Sequence, residues 1–198
     1  MIEVVLASRN AGKLAEMQAL LAPLNWTLRL VSDYTDEAAV ESASSFVENA
    51  LIKARHAARV SGLPAIADDS GLEVAALSGS PGVYSARYAG EHAGDAGNNA
   101  KLLDALEGLP AEQRAARFVC VLSYMRHAAD PTPVIAEGYW HGRILEAPRG
   151  THGFGYDPLF FVAEHGCSSA ELAPAVKNRS SHRARAAAAL LARLRQPT

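Results

Sequence analysis

Cysteine is scarce: Cys120 and Cys167 stand far apart and form no CxxC pair. That excludes a disulfide framework and fits a reducing, cytoplasmic setting. Cys120 lies inside the apolar run Phe118-Val119-Cys120-Val121-Leu122 and is expected as a buried thiol. Long hydrophobic runs are missing as well. No window is long enough to span a bilayer, and no basic segment with a long apolar stretch opens the chain, so neither membrane contact nor a secretory leader is expected. An excess of one charge is also lacking. The net charge of -2 argues against a broad nucleic-acid or anionic-membrane surface, while allowing a local basic pocket. HExxH, clustered His and Cys, and EF-hand spacings do not occur, which leaves zinc and calcium sites with little support. There is no internal repeat, low-complexity linker or obvious domain break. What remains, 49% hydrophobic and 20% charged residues over 198 positions, suits one generous domain or one domain with two lobes over residues 1–198.

Ile2-Glu3-Val4-Val5-Leu6-Ala7 reads as a buried strand, followed by the turn Ser8-Arg9-Asn10-Ala11-Gly12-Lys13. Leu14, Met17, Leu20 and Leu21 recur at helical spacing until Pro23 stops them, and a second strand follows over Trp26–Val31. In such an opening, a strand end and a helix start define a ligand site. Residues 32–43 are polar and aperiodic, a loop carrying Glu41. Ser45-Phe46-Val47-Glu48 matches a capping box, which gives Glu48 a structural explanation. The helix it opens runs to Gly62-Leu63-Pro64, with Asn49 and Lys53 sharing a face apart from the apolar one. Ala65-Ile66-Ala67 then forms a short strand that ends in Asp68-Asp69-Ser70-Gly71. A helix is expected over Asn98–Leu106. Arg117–Met125 and Pro133–His141 read as long strands, and Arg143–Glu146 as a third turned by Gly142. With Leu159-Phe160-Phe161-Val162 these imply an antiparallel or mixed sheet as a second lobe, and an α/β fold class. The tail from Lys177 leads into an alanine- and leucine-rich helix to about Arg195, capped by Ser180 or Ser181.

Four segments carry potential chemistry, each with a plain structural alternative. Ser8–Lys13 ends in Gly-Lys at a helix start, where backbone donors, the positive helix end and an ammonium suit phosphate. It is no Walker A loop, because the early glycine is absent and Leu14 stands where a magnesium-binding hydroxyl is required. The alternative is an ordinary turn with Lys13 on the surface. Asp68, Asp69 and Glu41 together suit a hard divalent cation such as magnesium, which takes carboxylates, water and phosphates. Alone, Asp-Asp-Ser-Gly reads as a solvated turn sooner than as a site. Gly153-Phe154-Gly155 sets an aromatic ring between glycines, where a base can stack, or else packs Phe154 into the core. Lys177, His182 and Arg183 form a donor cluster that can read a purine keto oxygen, or else a solvated basic helix start. Jointly they describe a site for a nucleoside triphosphate with magnesium.

Ser8-Arg9-Asn10-Ala11-Gly12-Lys13-Leu14-Ala15-Glu16, Phe46-Val47-Glu48-Asn49-Ala50 with Lys53, Asp68-Asp69-Ser70-Gly71-Leu72, Pro81-Gly82-Val83-Tyr84-Ser85-Ala86-Arg87, Gly153-Phe154-Gly155-Tyr156-Asp157-Pro158 and Lys177-Asn178 with Ser181-His182-Arg183 occur in that order. Together they resemble the inosine/xanthosine triphosphate pyrophosphatase family, in its bacterial dITP/XTP type, over nearly the whole chain. The resemblance implies a two-lobed mixed sheet with flanking helices, an active-site cleft between the lobes, and usually a homodimer. It implies magnesium-dependent hydrolysis of dITP, ITP and XTP to the monophosphate and pyrophosphate. By the same resemblance Asp69 is general base and metal ligand, Glu41 joins the metal shell, and Asp68 is a helper or further ligand. Ser8, Arg9, Asn10, Ala11, Gly12 and Lys13 hold phosphates, with Lys53 close by and Ser70 beside the substrate. Phe154 stacks on the base, Gly155, Tyr156 and Asp157 line its pocket, and Lys177, His182 and Arg183 complete base recognition. Ala175-Val176, where the family often has acids, and Ala184, where it often has glycine, depart from the pattern. Other readings are a pyrophosphatase for other modified nucleotides and a non-catalytic nucleotide sensor.

Overall fold

Strand β1 spans Ile2–Leu6, and Val4, Val5 and Leu6 are all buried. Consecutive buried residues mean that both faces of the strand are covered, the usual state of a parallel strand flanked by helices. The computed structural model describes residues 2–195. In it β1 pairs in parallel with β2 (Trp26–Leu30) and β3 (Ala65–Val74), linked through helices α1 (Ala11–Leu20) and α2 (Phe46–Ser61). After α3 (Gly94–Ala105) come β4 (Ala115–Met125), β5 (Val134–Ile144), β6 (Phe160–Val162) and β7 (Cys167–Ser168). Helices α4 (Pro174–Ser180) and α5 (His182–Leu194) follow. One seven-stranded sheet has the order β2-β1-β3-β4-β5-β6-β7, with β6 antiparallel to β5 and β7. The α/β class and the mixed sheet are as expected. Among the described residues no helix is long and apolar enough to cross a membrane.

The chain divides into two compact units. The first takes in residues up to Asp69, 120–138 and 183 onward. There Ile66 packs with Leu6, Cys120 and Leu122 against Met17 of α1, Leu21 just after that helix, and Ala186 and Leu190 of α5. Ala65 instead joins Ala57 and Ala58 of α2, and Ala67 joins Ala54. Successive strand side chains point to opposite faces. In the part of β3 that belongs to the first unit, even positions therefore face α1 and α5, while odd positions face α2. The second unit takes in residues 70–119 and 139–182. Its core gathers Leu72, Val74, Phe118, Trp140 and Phe160 around Leu102 of α3 and Leu106 at its end.

Three sequence expectations are corrected. β3 does not end at the acid pair but runs on to Val74, so Asp68 and Asp69 sit mid-strand. Each carboxylate meets a cation there, which removes the electrostatic reason for the strand to stop. Gly142 makes no turn: β5 is continuous to Ile144. A Cβ at Gly142 would lie 2.4 Å from the Phe161 carbonyl oxygen and 2.7 Å from the Phe160 ring, so this glycine serves close backbone approach. The late strands form no separate sheet but extend the same one. Ser45 caps α2 as expected, its Oγ accepting from the Glu48 amide at 3.3 Å, but the Glu48 carboxylate accepts from the Ser45 hydroxyl at 2.6 Å rather than from the Ser45 amide, so the expected capping box is formed only in its Ser45 half. Gly62 closes α2 in the left-handed conformation.

Candidate active site

The turn after β1 is built by its own side chains. Asn10 caps α1, its Oδ1 accepting from the Lys13 amide at 3.0 Å, and Ser8 Oγ accepts from the Asn10 amide at 3.1 Å. Arg9 donates to the Asp36 carbonyl, tying the turn to the acidic loop. Lys13, in the first turn of α1, donates to Asp68 Oδ1. From α5, Arg183 Nε donates to Asp68 Oδ2 at 2.9 Å, and its Nη1 grips both carboxylate oxygens of Glu16 at 3.1 and 2.9 Å. Cys120 Sγ lies 3.5 Å from Asp68 Oδ2. On the opposite face of β3, Lys53 of α2 reaches Asp69 at 2.5 Å and Glu41 at 3.5 Å. The adjacent acids are thus separated by strand alternation into two charge environments.

Those environments differ in sign of effect. Burial opposes ionisation of Asp68, but Lys13, Arg183 and Lys53 outweigh it and hold the carboxyl well below the usual carboxylate range. Burial pushes Asp69 up, Lys53 only partly offsets that, and Glu41 and Asp68 add to the rise. Burial disfavours charge on Lys53, yet Asp69, Asp68 and Glu41 raise it above the ordinary ammonium value. Burial and the Asp68 charge push the Cys120 thiol well up, so it is an inert structural group. Asp68 is a firmly ionised anchor. Asp69 is the carboxylate closer to accepting a proton.

A cavity of about 290 Å³ opens among Ser8, Arg9, Lys13, Glu41, Lys53 and Asp68, with Glu37 and His56 also on its wall. Among the described residues, no group of three His, Cys, Asp or Glu side chains converges on one point. Glu41 and Asp69 do share one cation already, the Lys53 ammonium. A donor set of two carboxylates fits magnesium, which keeps water and takes phosphate oxygens for its remaining positions, and does not fit zinc.

In the second unit Phe154 is 56% exposed, between Gly153 and Gly155, both with positive φ. The alternative of a core position for this ring is therefore set aside. Asp157 is buried and takes three donors: Lys177 Nζ, the Phe154 amide at 2.9 Å and Ser169 Oγ at 2.7 Å. The Lys177 ammonium lies 5.6 Å from the Phe154 ring centre. Tyr156 is buried in the core and donates to the Ser85 carbonyl at 2.8 Å, so Tyr156 and Asp157 hold the loop from beneath. His182 stacks on Phe118, centroids 4.7 Å apart and planes 15° apart. Ser70, next along β3, is half-buried.

A family model described as the Ham1 family matches residues 4–193. The chain belongs to the Ham1 family. It is 60% identical over 192 residues to a dITP/XTP pyrophosphatase of Pseudomonas syringae pv. tomato, covering 97% of this chain and 96% of that one. A dITP/XTP pyrophosphatase of Vibrio cholerae is 55% identical over 186 residues, 94% of this chain and 93% of the relative. Among solved structures, a HAM1 protein from Coxiella burnetii superposes with a TM-score of 0.91 at 50% identity, covering 98% of both chains.

For this Ham1 chain, sequence reasoning missed several residues that place the functional groups. Glu16 completes the Asp68–Arg183 ladder, and its position one turn after Lys13 on α1 was an available signal. Asn49 is buried and exchanges hydrogen bonds with Ala43, 3.1 Å to its amide and 3.3 Å to its carbonyl, pinning the loop that presents Glu41. Phe118 behind His182 carried no local signal, because it read as an ordinary core residue.

Proposed function

We propose that this protein hydrolyses deaminated purine nucleoside triphosphates (dITP, ITP and XTP) to the monophosphate and pyrophosphate, cleansing the nucleotide pool. The observation that carries the reading is the cavity in which Lys13, Lys53 and Arg9 stand with Glu41 and Asp68, and with Asp69 behind Lys53. Cations for a triphosphate and carboxylates for a metal occur together there, in a chain whose family relatives are named dITP/XTP pyrophosphatase.

In this reading the first unit's Ser8–Lys13 turn, the positive end of α1 and Lys53 bind the phosphates. Glu41 and Asp69 would hold magnesium, which when bound supplies positive charge to the phosphate oxygens. Asp69 orients a water and takes its proton as the oxygen attacks the α-phosphorus. The bond from that phosphorus to the bridging oxygen breaks, and pyrophosphate leaves. A carboxyl raised above its ordinary range is suited to accept that proton. Asp68, locked by Lys13 and Arg183, keeps the lysine aimed and takes no proton. The second unit's Phe154 stacks on the base, and Lys177 and His182 donate to its 6-keto group. The protein acts as a cytoplasmic homodimer.

The test is pyrophosphate release from ITP, dITP, XTP, GTP and ATP, with and without magnesium. Release from the deaminated purines in magnesium, lost in Asp69→Asn while nucleotide binding persists, is expected. Binding of ITP without pyrophosphate release by the wild type would overturn the reading in favour of a sensor.

A further inference from the structure

Phe154 poses a physical question. An exposed aromatic ring flanked by two glycines should wander, because glycine offers the backbone many conformations. Here the backbone on both sides of the ring is held. The Phe154 amide donates to Asp157 at 2.9 Å. The amide of Gly155 donates to Asp95 Oδ2 at 2.6 Å, and the Gly155 carbonyl accepts from Asn99 Nδ2 at 2.9 Å. Asp95 and Asn99 lie four residues apart on α3 and so share one face of that helix. One helix thus takes both backbone polar groups of the residue that follows the ring. Gly155 has φ +63°, in the left-handed region that favours glycine.

The neighbouring asparagine shows what a purely structural role looks like. Asn98 is buried and bonds Ala86 and Ala89 within the segment before α3. Asn99, one position on, is turned away from that task and toward the loop. Asp95 sits in the first turn of α3, where an acid also favours the helix end. That role alone does not require an acceptor 2.6 Å from a glycine amide 60 residues away.

We infer that Asp95 and Asn99 are positioning residues that clamp Gly155 and thereby fix the Phe154 ring for stacking on a nucleobase. The clamp supplies preorganisation: the loop's ordering is completed before the ligand arrives. This rests on the reading of Phe154 as the base platform. No contact between either residue and the nucleotide is involved, so their removal acts on base affinity and leaves the phosphate end untouched.

The experiment measures ITP hydrolysis and competitive inhibition by inorganic triphosphate for wild type, Phe154→Ala, Asp95→Ala, Asn99→Ala and Asp95→Asn, with thermal midpoints to confirm folding. Asp95→Ala and Asn99→Ala are expected to raise KM for ITP about ten-fold, within the range one base–aromatic stack supplies, with kcat changed by less than about two-fold. Inhibition by inorganic triphosphate should be unchanged. Asp95→Asn, which keeps an acceptor oxygen, should recover most of the affinity. In the Phe154→Ala background neither clamp substitution should add a further rise, because coupled residues are non-additive. If Phe154→Ala raises KM while the clamp variants do not, the clamp is refuted and the stacking platform stands. If Phe154→Ala itself leaves KM unchanged, the platform reading is refuted. A rise that persists in full without Phe154, or that extends to inorganic triphosphate, refutes the clamp in favour of general damage to α3.

Discussion

Replacing Asp68 by asparagine should cost far more stability than the same change at Asp69, although the two are neighbours of one residue type. The Asp68 side chain is fully buried, and its partners are Lys13 and an Arg183 side chain only 3% exposed. Removing one member of a buried charge cluster strands the others, at about 3–5 kcal/mol. An asparagine oxygen can still accept one hydrogen bond, so the loss belongs near the lower bound, about 3 kcal/mol. At a urea slope of about 2 kcal/mol/M, that moves the denaturation midpoint down by about 1.5 M. Asp69 has the opposite sign. Its carboxyl is raised in the fold, so its ionised form is less favourable there than in the unfolded chain, and neutralising it removes that penalty. Lys53 keeps Glu41 at 3.5 Å, and Asp69→Asn should therefore stay within about 1 kcal/mol of wild type. Acidity supplies a second check. Asp68 is held below its unfolded value, so its contribution is complete above about pH 4 and is lost as pH falls through the folded value. The gap between wild type and Asp68→Asn should narrow below about pH 4. Urea denaturation at pH 7 and at pH 3.5 measures both. Equal losses for the two variants, or an Asp68→Asn loss below about 1 kcal/mol, would refute the assignment of separate charge environments.

Two further outcomes are expected. Gly142→Ala should destabilise by about 1–3 kcal/mol, since its Cβ collides with the Phe161 backbone oxygen and the Phe160 ring; a wild-type thermal midpoint would show that β6 has room to withdraw. Glu16→Gln should cost about 2 kcal/mol in urea denaturation by neutralising the two-oxygen grip on buried Arg183, and a loss indistinguishable from zero would mean that Asp68 alone satisfies the guanidinium.

Much of this protein was readable from local pattern. The run Ile2–Ala7 announced a buried strand, Ser45 and Glu48 announced the cap of α2, and Gly62 announced its end. Each of these signals is short-range, and short-range sterics and capping decide such features. The candidate site residues were also found as types and spacings: the Gly12-Lys13 turn, the acid pair, and the glycine-flanked Phe154. What local pattern misjudged were features whose cause lies far away in the chain. Asp68-Asp69 looked like the end of a strand because two adjacent acids repel, and the cations that reverse this come from α1, α2 and α5. Gly142 looked like a turn because glycine favours turns, whereas its reason is Phe160 and Phe161 on the next strand.

The sequence by itself determined most of the secondary elements, the α/β class and the inventory of chemical groups, because periodicity, capping and composition are properties of neighbouring residues. Only the tertiary structure decided the division of labour inside the acid pair. Strand alternation sends Asp68 to the α1 and α5 face, where Lys13 and Arg183 hold it ionised. It sends Asp69 to the α2 face, where burial outweighs Lys53 and lifts its affinity for a proton. Two identical side chains one residue apart differ because electrostatics depends on distance in space and on burial, and neither is written in the order of the residues.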